Sequence, residues 1–254
     1  MADEVKSEAQ RGIYKIGAIS AALILVLFAA ELAVVAARGM PPVFGGAGEW
    51  LQALQRDRLA GLVRTFALDI VAVALHAPLY VALVFFLGSY RKDYPILILS
   101  ATIAFIGMAV FLSSNATFSM LYLSDKLSSA ATEAQRSSVL QSAEATMAVY
   151  WNGTGYDVAT NFAGMAGLLV SVVMLRSRKM PASAAILGIV GNALELGPPA
   201  ILMPPLYLKL DPIAIVIGGL LLLPWYAAIM ARLWKAPGPP REAISIESPP
   251  GGRR

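Results

Sequence analysis

Six stretches of the chain, at about 13–36, 62–88, 95–114, 156–175, 182–204 and 212–234, run apolar for the roughly 20 residues that a helix needs to cross a bilayer. In hydrocarbon every backbone N–H and C=O must be paired within its own segment, so such runs are read as helices. The predicted fold class is therefore all-α: a polytopic membrane helical bundle of six transmembrane helices. Composition agrees. The chain is 57% hydrophobic and 14% charged, against about half and a quarter for soluble domains. The first stretch ends in "VVAAR", which resembles a signal-peptide cleavage site. Its apolar run exceeds the roughly 7–15 residues of a secretory signal, so a retained signal-anchor helix is expected.

Lysine and arginine set the orientation. With the N-terminus cytoplasmic, the inner side holds Lys6, Arg11 and Lys15, then Arg91 and Lys92, then Arg176, Arg178 and Lys179, and five basic residues from Arg232 onward. The outer side holds seven: Arg38, Arg56, Arg58, Arg64, Lys126, Arg136 and Lys209. Thirteen against seven places both termini of this multi-pass protein in the cytoplasm. The organisation expected is a cytoplasmic segment over 1–12, a six-span membrane domain over 13–235, and a Pro- and Gly-rich disordered tail over 236–254. The net charge of +4 lies in short runs between apolar segments. That suits contact with anionic lipid, and no nucleic-acid partner is expected.

Two outer connections are long. "GEWLQALQRDRL", Gly48 to Leu59, reads as a short amphipathic helix. Between spans three and four, Thr132 to Gln135 forms a capping-box pattern. Val139, Leu140, Ala143, Met147 and Tyr150 then recur at helical spacing. An extracytoplasmic amphipathic helix, lying on the membrane or capping the bundle, is expected there. Asn115 and Asn152 each open a glycosylation-acceptor pattern.

Ionisable residues inside spans are costly and mark functional sites by default. In "TFALDIVAVALHAPLY", Asp69 and His76, the only histidine, are seven residues apart. At 100° per residue they share one face, about 10 Å apart along the axis, and Thr65 and Tyr80 extend that stripe. Each then needs a partner on another helix or in water. Asp157 and Asn161 sit four apart in the fourth span. The fifth, "GIVGNALELGPP", places Gly188, Asn192, Glu195 and Pro199 on one stripe. Pro198 and Pro199 lack amide hydrogens, so carbonyls before them lose their partners, which is tolerated at membrane depth only beside protein or a wet cavity. Glu31 and Asp157 lie near span ends, where hydration suffices. With the assigned orientation, Asp69, Asp157 and Asn161 fall in the outer half, and His76, Asn192 and Glu195 near the midplane. The pattern predicts an outward-facing polar pocket for an unknown small ligand, lined by Asp69, His76, Asp157, Asn161, Asn192 and Glu195. It is built mainly from spans two, four and five.

The chain has no cysteine, which excludes disulfides, thiolate chemistry and iron–sulfur clusters. One histidine excludes a histidine-rich metal site. No nucleophile motif or phosphate loop accompanies the polar residues, so no catalytic residue, metal or cofactor is expected. Binding or transport is the first reading, a non-catalytic membrane subunit or assembly factor the alternative, and an intramembrane enzyme the least supported. Beyond the lipid bilayer, a homo-oligomer or a membrane-protein partner stays open.

The segment "LSSAATEAQRSSVLQSAEATMAVY", followed by "GTGYDVATNFAGMAGLLVSVVMLRSRKMPASAAILGIVGNALEL", resembles the uncharacterised bacterial integral-membrane proteins grouped as domain of unknown function 4386. There an Ala/Glu/Arg-rich helix precedes a Gly-rich span, and a basic turn leads into another Gly-rich span. The likeness runs from Ile13 to Lys235 and is clearest from Leu121 to Leu196. It implies a six-span bacterial membrane protein and brings no site residues.

Overall fold

The computed structural model describes residues 2–38, 46–64, 67–88, 92–151, 155–196 and 204–236. Their regular structure is helical throughout: α1 (Ala2–Arg38), α2 (Ala47–Arg56), α3 (Arg58–Arg64), α4 (Ala67–Leu87), α5 (Tyr94–Ser114), α6 (Thr117–Ser128), α7 (Glu133–Tyr150), α8 (Gly155–Ser177), α9 (Ala182–Glu195) and α10 (Pro204–Lys235). Five stretches are long and apolar enough to cross a membrane, and α9 is a shorter apolar helix of 14 residues. The chain is a multi-pass membrane protein. Thr65, Asn152, Pro198, Pro199 and the tail from 237 lie outside the described residues.

Local chemistry explains the boundaries. Pro95 occupies the first turn of α5, where a missing amide hydrogen costs nothing. The capping box at Thr132 forms as its sequence pattern requires, with Gln135 N–H donating to the Thr132 hydroxyl and the Gln135 side chain accepting from the Thr132 amide. Arg178, at φ 54°, takes the left-handed conformation that ends α8. The N-terminal segment continues α1 rather than forming a separate element.

Six helices close into a ring. Around it α1 packs on α4, α4 on α5, α5 on α8, α8 on α9, α9 on α10, and α10 back on α1. In this order α4 and α9, the two helices richest in buried polar chemistry, stand opposite each other. The ring's apolar core includes Ile24, Leu79, Leu83, Leu97, Val170, Met174, Trp225 and Ile229. Close approaches use small residues, as expected where lipid gives helices no hydrophobic drive to associate. A Cβ on Gly17 would meet Ala82 at 2.2 Å, and one on Gly107 would meet Phe162 at 2.9 Å.

A second core, around Trp50, Leu51, Leu54, Phe111, Met120, Met147 and Tyr150, joins α2, α6 and α7 into a cap at one end of the ring. Helix α6 was not expected from the sequence. Its Ser124 hydroxyl donates to the Leu51 carbonyl, and Ser124's own carbonyl accepts from Gln55. Arg58 pairs with Asp125 at 3.1 Å, and Glu144 accepts the Ala47 amide at 2.8 Å at the start of α2. The opposite end is basic. There Lys179 Nζ donates to the Phe86 carbonyl at the end of α4, and burial pushes its amine below the ordinary lysine range. Arg176 lies 3.8 Å from Asp93.

Candidate functional site

The face of each helix follows from which residues it leaves exposed. On α4 the exposed large residues are Val71, Val81 and Phe85. At about 100° per residue, Asp69, His76 and Tyr80 stand nearly half a turn from them, on the side turned into the ring. On α9 the exposed large hydrophobic residues are Ile186 and Val190, and Glu195 again lies about half a turn away. Asp69, His76 and Glu195 thus point inward from opposite helices, and the bundle encloses all three. Each nevertheless keeps part of its surface accessible.

The His76 ring bridges the interior. Its Nδ1 lies 2.7 Å from the Ala72 carbonyl and its Nε2 2.6 Å from the Tyr226 hydroxyl of α10. A carbonyl only accepts, so Nδ1 carries the hydrogen, and in the neutral ring Nε2 accepts from the Tyr226 O–H. Tyr80 and Tyr226 flank the imidazole at centroid distances of 6.5 and 5.7 Å, and Phe28 of α1 meets Tyr226 edge-on at 5.9 Å. One partner of His76 is therefore its own helix, four residues back, and the other is on α10.

Asp69 finds its partner on α1. Its carboxyl group lies within electrostatic reach of that of Glu31. Glu31 Oε1 is buried and has no hydrogen-bond partner. Glu195 lies within electrostatic reach of Asp69, Tyr80 and Tyr226. Tyr150, the last residue of α7, lies within reach of Glu31 and Asp69, so the cap closes over this end of the cluster.

The remaining sequence candidates sit elsewhere. Asn192 is buried, and its amide donates to the Gly188 carbonyl at 2.6 Å. Its side chain fills the groove at Gly167, where a Cβ would come within 1.9 Å of Oδ1. That places it in the α8–α9 seam. Asn161 is exposed, with its amide donating to the Asp157 carbonyl one turn back. Asp157 lies in the first turn of α8. The structure therefore brings Asp69, His76 and Glu195 towards one another and leaves Asn161 and Asn192 outside that group. It adds Glu31, expected to be merely hydrated, and Tyr80, Tyr150 and Tyr226. Only Tyr80 carried a signal in the sequence, through its place on the Asp69–His76 stripe. Among the described residues, no group of three or more acidic or histidine side chains is arranged to hold a metal ion.

No curated protein and no solved structure matches the chain. A family model does, over residues 16–226, from within α1 to within α10, with the whole cap between. The chain belongs to the family described as a domain of unknown function, DUF4386.

Proposed function

We propose that this is a six-span protein of a bacterial plasma membrane, with both termini cytoplasmic, that binds or transports a small ligand through a polar chamber between α4 and α9. In this reading α9 lies in the fifth span, and the cap faces outward. The basic end, with Arg176 and Lys179, then meets the cytoplasm, in line with the charge bias of the loops. The observation that supports the chamber best is the residual accessibility of Asp69, His76 and Glu195 on the inward faces of opposed helices. Carboxyl groups kept accessible at membrane depth are costly unless they serve water or a ligand.

The absence of cysteine gives a direct test. A single cysteine replaces Val73, which lies on the inward side of α4 between Asp69 and His76, and another replaces the lipid-facing Val71. In lipid vesicles, a small neutral, water-soluble maleimide added outside should label the first variant and spare the second. Equal protection of both thiols would contradict a chamber open to the outside. Glu195→Gln should then alter ligand binding or uptake without lowering expression.

A further inference from the structure

The wall of this chamber has a chemical bias. Glu31, Asp69 and Glu195 reach it from three different helices, and among the described residues none of them pairs with a lysine or arginine. The donors beside them are engaged: His76 Nδ1–H on the Ala72 carbonyl, and the Tyr226 O–H on His76 Nε2. Unmatched groups of both kinds remain in the bundle, an acceptor at Glu31 Oε1 and a donor at the buried Trp225 Nε1–H. Glu31 Oε1 is buried and unpartnered. The Tyr80 side chain is only 4% exposed and lies beside His76 and within reach of Glu195. Among the described residues its hydroxyl makes no hydrogen bond, and it can donate as well as accept. Carboxylates held together in low dielectric repel one another unless protons or a cation offset them.

Tyr80 and Tyr226 flank the imidazole, and Phe28 meets Tyr226 edge-on; aromatic rings attract a desolvated positive charge. The acidic groups do not form a metal-holding set among the described residues. The chemistry that suits acidic groups without a lysine or arginine partner, beside tyrosine rings, is a positive charge on an apolar body.

We propose that the chamber takes organic cations, such as protonated amines or quaternary onium ions with an apolar body. This rests on the chamber reading above, and the experiment separates the two. The Val73→Cys protein in lipid vesicles is treated with three thiol reagents: the neutral maleimide, a trimethylammonium-bearing methanethiosulfonate and its sulfonate-bearing counterpart. Each rate is normalised to that with a free thiol in solution. The cationic reagent should react roughly tenfold or more faster than the anionic one, as charge-focused clefts do. That ratio should fall towards one in the Asp69→Asn and Glu195→Gln backgrounds. Tetraphenylphosphonium should slow labelling, while tetraphenylborate, of the same shape and opposite charge, should not. Neutral labelling with a charge ratio near one, or a ratio unmoved by both substitutions, overturns the cation assignment and leaves the chamber standing. No labelling by any reagent overturns both.

Discussion

His76 Nε2 and the Tyr226 hydroxyl lie 2.6 Å apart across 150 residues of chain. Their helices, α4 and α10, are not neighbours around the ring. The bond therefore ties two walls together across the interior. Tyr226→Phe removes the donor and leaves an imidazole nitrogen without its partner. Hydrogen bonds between membrane helices are worth about 0.5–2 kcal/mol. Thermal unfolding in detergent should fall by a few degrees, and a cycle with His76→Phe should show coupling of about 1 kcal/mol. Additive losses would mean that the two groups do not bond.

The seam of α8 and α9 offers a steric test. A methyl group on Gly167 would meet Asn192 Oδ1 at 1.9 Å, whereas one on Gly219 would meet nothing within 4 Å. Gly167→Ala should cost about 1–3 kcal/mol, as overpacked cores do. Gly219→Ala should be neutral or slightly stabilising. Adding Asn192→Ala to Gly167→Ala should recover part of the loss, because the clashing atoms are gone. Denaturation in mixed micelles reads all three.

The cap is held to itself by a carboxylate at a helix start. Glu144 of α7 accepts the Ala47 amide at 2.8 Å, in place of a side-chain N-cap on Gly46. Glu144→Ala should leave the ring intact and speed amide exchange over Ala47–Leu51. Unchanged protection there would show that packing of Trp50 and Leu51 alone holds α2.

Arg178 occupies a left-handed position at φ 54°, a conformation that costs a residue with a Cβ roughly 1–2 kcal/mol. Arg178→Gly should raise stability by up to about 1 kcal/mol, less what the unfolded chain gains in freedom. A lower unfolding temperature would point to a tertiary role for its side chain.

The spans were legible because hydrocarbon imposes one rule on length and polarity, and five of the six runs reappear as long apolar helices. The capping box at Thr132 was legible because its chemistry is local. The ring order was not, since apolar helices carry no label for their neighbours. Asp69 and His76 could be placed on one face by periodicity alone, but their partners could not. Glu31 looked like a hydrated span end until α1 packed against α4, and nothing in "PWYAA" distinguishes Tyr226 from any aromatic residue in an apolar run. Asn161 and Asn192 matched the same polar pattern as Glu195, yet helix rotation turns one outward and the other into a seam. Four residues of spacing define a stripe without saying which way the stripe faces.

In the proposed chamber, water enters between α4 and α9. Nitroxide labels at positions 73 and 71 test it, through collisions with a water-soluble nickel chelate and with oxygen, which partitions into lipid. Position 73 should show high nickel and low oxygen accessibility, and position 71 the reverse. Lipid-like or fully excluded behaviour at 73 would mean that the carboxyl groups close on one another as a dry core.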